Sequence, residues 1–491
     1  MSTTTTGVGA GFRRVTIVAP DSRIDVALPE EAPLADIYPE ILRLSGQAPV
    51  EGAPVGYHLV RRDGSVLSNS RSFAAERILD GEVLTLRPFA ESLPPAVFDD
   101  VSDAVASAVA RDRTLWGDGL TRGAGLTAGT VVSMLAAFVL WFAAPVRHDM
   151  HSPPGILAAV TGVLLVSFAA VRARVHDDRG AAMALGLGAI PHVMIAGSGL
   201  VPLEEGGGIG RLQFLLGCIA VLVVAVVLIA VTPSGDAPFV AAAFAATVGT
   251  LVTFVAILTG IETVEVASLC VPVALGVIAF LPDLSVRFAR LPAGYTPTQQ
   301  QTMSYEEDPD AVPETAGPVD AEQIAAQARR GHEMLVGLVG GCAVVVLGAS
   351  AVLGFSDSGW GHLLAVAGGL AMLLRARLFR YAAQVGCAVI AGVGALALLV
   401  VGLALNPPAS MVLDLIEGDP AAMNIRATWL TAALVFAAAL ASAIALIVPK
   451  KGVAPFWARF LEIFEMFVLL TPVPICLAVM GAYSAVRSMT G

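Results

Sequence analysis

From about residue 120 onward, apolar residues gather into eleven long stretches separated by short polar breaks, whereas before residue 90 they alternate with polar ones. A bilayer crossing needs about 20 mostly apolar residues. The stretches lie near 124–145, 154–171, 181–202, 212–232, 238–260, 264–282, 334–354, 359–374, 382–405, 427–448 and 466–486. The eighth is short because Arg375, Arg377 and Arg380 close it. In the N-terminal part, Val15 and Ile17 alternate with polar neighbours, and Ile24, Val26 and Leu28 do so again after Pro20-Asp21. This pattern predicts a β-hairpin. Leu34, Ile37, Ile41 and Leu44 recur at helical spacing, although Pro39 should kink that helix or mark a break. Tyr57 to Val60 and Val66-Leu67 flank the turn signal Asp63-Gly64, and Asp80-Gly81 leads into a last strand, Glu82 to Arg87.

The order ββαβββ is that of a ubiquitin-like β-grasp domain. The expected fold class is thus an α-helical polytopic membrane protein with eleven transmembrane helices and an N-terminal ubiquitin-like β-grasp (α+β) cytosolic domain. No Gly-Gly ends the small domain and the chain runs on, so a docking module or a stability cap is expected, not a conjugated modifier. The expected division is a disordered N-terminus 1–11, which lacks the apolar core of a signal peptide; the ubiquitin-like domain 12–90; a linker 91–123; transmembrane helices one to six, 124–282; a cytosolic loop 283–333; and helices seven to eleven, 334–491. Within the linker, Val97, Val101, Val105 and Val109 share one helical face, and the acidic first turn of that helix favours protein over anionic lipid.

Charge sets the orientation, because arginine and lysine accumulate on the cytosolic side. With the head inside, sixteen basic residues face the cytosol: Arg111, Arg113, Arg122, Arg172, Arg174, Arg179, Arg287, Arg290, Arg329, Arg330, Arg375, Arg377, Arg380, Lys450, Lys451 and Arg459. Four face the other way: Arg147, Arg211, Arg426 and Arg487. The reading is an inner-membrane protein with a cytosolic N-terminal domain and an extracytoplasmic C-terminus. Composition agrees, at 56% hydrophobic and 14% charged against about 25% charged in ordinary globular chains. The net charge of -11 argues against nucleic acid. The five cysteines all lie in apolar stretches without CxxC pairing and read as small core residues.

Chemistry is sparse. The only lysines, Lys450 and Lys451, are followed by Gly452, so no P-loop exists; no HExxH occurs, and no metal or cofactor site is expected. Gly348-Ala349-Ser350 is a chance match to a nucleophile motif in a chain with 49 glycines. The rival to a non-enzymatic role is a secondary transporter of a small solute with a regulatory cytosolic domain. Its candidates are His192 beside Pro191, Glu262 and Glu265, and the prolines Pro472 and Pro474. The loop 283–333 carries Arg287 and Arg290, then a proline-rich stretch, then the acidic Glu306, Glu307, Asp308, Asp310 and Glu314. Arg287, Arg290, Glu306 and Glu307 are the candidate partner-docking residues. Gly337 and Gly341 form a GxxxG pair, with Gly368-Gly369, Gly392 and Gly394 as further close-approach positions. Packing within the chain and dimerisation explain that pair equally well.

Four local sequences occur together in order: Ile78-Leu79-Asp80-Gly81-Glu82-Val83-Leu84-Thr85-Leu86, the run Arg375-Ala376-Arg377-Leu378-Phe379-Arg380, the proline-rich then acidic loop, and the tail Gly481-Ala482-Tyr483-Ser484-Ala485-Val486-Arg487. With eleven spans, they resemble the EccD family, the multispanning component of mycobacterial type VII (ESX) secretion systems, over essentially the whole chain. The resemblance implies a scaffold without catalysis that forms a homodimer around a lipid-filled cavity within a larger oligomer. It further implies membrane partners of EccB, EccC and EccE type, with EccC the ATPase, and indirect service to secreted ESX and PE/PPE-type effectors.

Overall fold

The computed structural model describes residues 11–20, 22–47, 56–88, 117–143, 149–202, 210–232, 236–288, 321–451 and 454–490. The chain forms two compact units, one up to Leu115 and one from Trp116.

The first unit contains β1 (Phe12–Val18), β2 (Arg23–Pro29), α1 (Leu34–Leu44), β3 (Tyr57–Arg61) and β4 (Glu82–Pro88). The sheet order is β2-β1-β4-β3, with β1 and β4 parallel in the middle and an antiparallel partner on each side. The period of two along a strand sends Val15, Ile17, Leu84 and Leu86 to one face, where Leu34, Ile37, Ile41 and Phe73 close a water-excluding core. Each such side chain contributes roughly 1.5–3 kcal/mol by leaving water. Val66-Leu67 makes no strand. Val66 forms a single bridge to Val60, because the Asp63-Gly64 turn, with Gly64 at φ 88°, returns the chain for only a few residues before it leaves the sheet. The helix α1 runs unbroken through Pro39. Pro39 and Ala35, whose carbonyl loses its donor, both face solvent, so water supplies the missing hydrogen bond. On the opposite face of α1, Tyr38 accepts a hydrogen bond from the Leu59 amide.

The second unit is helical: α2 (Asp118–Ala143), α3 (Pro153–Arg174), α4 (Arg179–Ser198), α5 (Arg211–Val231), α6 (Ala237–Thr259), α7 (Thr263–Phe288), α8 (Ala321–Gly354), α9 (Gly359–Arg375), α10 (Ala382–Leu405), α11 (Ala409–Ile416), α12 (Ala421–Lys451), α13 (Pro455–Leu470), α14 (Pro472–Val479) and α15 (Ala482–Thr490). Among the described residues, eleven segments are long and apolar enough to cross a membrane. Ten of them overlie the stretches read from hydropathy, and the last starts earlier, at Pro455. Its first turns carry Arg459, Glu462 and Glu465, which a hydropathy window rejects although the helix continues through them. Side chains cap several starts: Ser152, Asp178 and Ser358 accept from the amides of Gly155, Ala181 and Gly361.

The helix α8 is central, packing on α6, α7, α9 and α10. Small residues allow it. A Cβ placed on Gly337 would stand 2.6 Å from Val240 Cβ and 2.7 Å from the Ala237 carbonyl oxygen, and one on Gly341 would stand 2.7 Å from the Phe244 ring. On the other side of the group, Gly369 and Gly392 approach each other's carbonyls, joining α9 to α10. In lipid, where apolar burial gives no net drive between helices, such close backbone approach supplies the packing energy.

Two outcomes follow. Gly337→Ala should destabilise the detergent-solubilised protein by about 1–3 kcal/mol, while Gly348→Ala, with open space at its Cβ, should leave the thermal midpoint unchanged or slightly higher. Burial pushes the Tyr38 hydroxyl up to about 12, with the Leu59 amide opposing. The folded head therefore holds that proton more tightly than the unfolded chain, so this contribution is complete below the ordinary tyrosine value and declines as pH rises from about 10 towards 12. Tyr38→Phe should abolish that alkaline decline and lower stability by about 1–3 kcal/mol through the unpaired amide, both read from unfolding curves of the head.

Candidate functional site

Arg287 lies exposed in the last turn of α7. Arg290, Glu306 and Glu307, with most of the loop 283–333, fall outside the described residues, as does the helix expected at Val97 to Val109. Gly337 and Gly341 meet α6 of the same chain, so intrachain packing accounts for both. On the head, the strand residues alternating with the core ones present exposed Arg14, Arg87 and Val83 on the outer face of β1 and β4, with Asp25 of β2 beside them.

Of the residues that a transporter would use, His192 and Glu265 each make a local structural hydrogen bond. His192 is buried in α4 with Nδ1 2.9 Å from the Gly188 carbonyl oxygen. Since a carbonyl only accepts, Nδ1 is the donor there, and Nε2 has no partner among the described residues. The Glu265 carboxylate reaches back to the Glu262 amide at 3.0 Å and closes the start of α7, as the acidic half of a capping box does. Pro472 and Pro474 open α14, where the eleventh span breaks after Thr471. Ser350 is fully buried and its hydroxyl has no hydrogen-bond partner among the described residues, so no base is positioned to activate it. No group of three or more His, Cys, Asp or Glu residues among the described residues is arranged to hold a metal.

Charge within the bundle serves helix ends. Arg174 donates to the Ala230 carbonyl at the end of α5, Arg211 to the Ala256 carbonyl at the end of α6, and Arg426 to the Leu403 carbonyl at the end of α10. Arg174 and Arg426 take carbonyls that a helix C-terminus leaves unpaired, while Arg211 shares the Ala256 carbonyl with the Gly260 amide. At the start of α6, Asp236 is fully buried and pairs with Arg330 of α8 at 2.5 Å, while its second oxygen, Oδ1, has no partner among the described residues. Asp178 binds Arg122 across the starts of α2 and α4, and the Ala181 amide followed by Arg122 holds its carboxyl below the usual range. Arg375, at the end of α9, lies 3.9 Å from Glu465 of α13. Sequence reasoning missed these pairs because they join residues far apart in the chain.

A four-stranded β-grasp head followed by eleven apolar helices, tied by arginine caps and close small-residue contacts, defines a polytopic membrane protein of structural type. Residues 121–489 match the family described as the EccD-like transmembrane domain, and residues 12–86 match YukD of the WXG100 protein secretion system. The chain belongs to the EccD family. It is 26% identical over 489 residues to the ESX-4 secretion system protein eccD4 of Mycobacterium tuberculosis, covering 98% of each chain. It is 26% identical over 477 residues to EccD5 of the ESX-5 system of the same organism, covering 93% of this chain and 90% of that one. Protomer 1 of the ESX-3 core complex shares the fold at a TM-score of 0.58 and 20% identity, over 97% of this chain and 100% of that one. A chain of the MycP5-free ESX-5 inner membrane complex does so at 0.51 and 23%, over 88% and 99%.

Removing one partner of a buried pair strands the other charge. Arg330→Ala should therefore cost about 3 kcal/mol, and adding Asp236→Ala should recover part of that loss, as measured by thermal unfolding in detergent.

Proposed function

We propose that this chain is a non-enzymatic structural component of an inner-membrane type VII secretion complex. The observation that carries this reading is the end-to-end correspondence, head and bundle in the same order, with a relative named as an ESX-4 secretion system protein. The use of Arg174, Arg211, Arg426 and the Arg330–Asp236 pair to join helices supports a structural role.

The finer picture is a homodimer around a lipid-filled cavity, with the head and the loop 283–333 on the cytosolic side docking EccB-, EccC- and EccE-like partners and the C-terminus outside. Two features favour further partners. The helix α12 is a candidate span of which no residue in its apolar window is buried, and α13 exposes Phe456, Trp457, Phe460 and Phe464 in succession. Arg287 and the arginines of the head sheet offer complementary charge to acidic partner segments. The excess of arginine in alternate loops supports the orientation.

Deleting residues 12–90 from the tagged native protein should leave membrane insertion intact and abolish co-purification of the ATPase in mild detergent. Full recovery of the ATPase without the head would sink the docking role. A small particle containing this chain alone, from the intact protein, would overturn the scaffold reading, and Glu262→Gln should leave assembly and export unchanged.

A further inference from the structure

The helix α9 has 17 residues, about 25 Å of rise, and the core of a bilayer is about 30 Å thick. Only with the turn that follows does the span reach a crossing length, Gly359–Leu378, and Arg375 just before that turn stands 3.9 Å from Glu465 of the eleventh span. Within that pair the two charges neutralise each other. The chain then makes one 3-10 turn, Ala376–Leu378, and re-enters the bundle at Ala382. So short a link holds Arg377 and Arg380 at the membrane boundary. Both are exposed, and neither has an ion pair or hydrogen bond among the described residues. Between and beside them Leu378 and Tyr381 are exposed as well. Two guanidiniums without a partner among the described residues, beside an exposed leucine and a tyrosine whose ring leans on His332 at 4.4 Å, suit the headgroup layer, where tyrosine also collects.

We propose that Arg377, Leu378, Arg380 and Tyr381 form a binding site for the headgroup of an anionic phospholipid. The two guanidiniums take the phosphate oxygens in the fork geometry that lysine cannot reproduce. Leu378 meets the first acyl carbons, and Tyr381 lies at the ester level. The site is independent of the secretion reading, since it follows from depth, exposure and charge alone.

Native mass spectrometry of the full chain in mild detergent, titrated with phosphatidylglycerol or with phosphatidylcholine of the same acyl chains, tests this. Two basic groups at an anionic headgroup correspond to about thirtyfold preference, so the wild type should favour phosphatidylglycerol by that order and Arg377→Gln/Arg380→Gln should lose the preference. Equal preference in wild type and double variant would overturn the site. Leu378→Ala, which keeps both charges, should weaken phosphatidylglycerol retention, and an unchanged retention would remove the acyl contact from the assignment. Displacement of the lipid by millimolar inorganic phosphate would identify a free-anion site and overturn the lipid assignment. If the double variant does not fold, the wild type decides alone: absence of any preference for phosphatidylglycerol over phosphatidylcholine overturns the proposal.

Discussion

The last turn of every α-helix leaves carbonyls without an internal donor, and at the edge of hydrocarbon water is scarce enough that protein must supply one. Arg174 at α5 and Arg426 at α10 meet that demand by reaching across to a neighbour, and Arg211 adds a second donor at the end of α6, where the Gly260 amide already pairs. Arg211 and Arg426 are two of the four basic residues that the orientation places on the side normally poor in arginine. Their positions are set by acceptors there, which is why they do not contradict the asymmetry of the other loops. Each cap also fixes the relative height of two helices, so that the close contacts between them register correctly.

The two units achieve compactness by different physics. In the head, large side chains such as Phe73, Ile17 and Leu84 leave water, and the gain scales with apolar area. In the bundle, lipid is as apolar as the side chains, and the buried set turns to alanine, with Ala365, Ala371, Ala388, Ala391 and Ala395 fully covered. Their value is that they let backbones approach until dispersion and carbonyl contacts become favourable. A substitution that enlarges a side chain is therefore absorbed differently in the two units.

Much of this was legible in the sequence, because each signal was local. Alternation located the strands around Val15, Ile24 and Leu84, and sustained apolarity located ten of the spans closely. The eleventh was displaced because Glu462 and Glu465 lower the hydropathy of a helix that nonetheless continues, Glu465 being answered by Arg375 from another span. Pro39 misled for a related reason: its cost depends on whether the freed carbonyl meets water, which the sequence does not state. The candidate docking residues were chosen on loop position and charge, and of these the structure describes Arg287 alone. The buried Asp236 was invisible because its meaning comes from Arg330, a residue on another helix.

The length of α8 has a mechanical side. Thirty-four residues make a rod of about 51 Å, some 20 Å longer than the hydrocarbon is thick. It is continuous from Ala321 to Gly354, and Arg330 pins it to Asp236 before it reaches the contact of Gly337 with α6. The nine residues before the Arg330–Asp236 pair form the short arm, and the twenty-four after it lie among the most tightly packed helices of the bundle, so a load on the first is carried by an unbroken helix seated along its longer part.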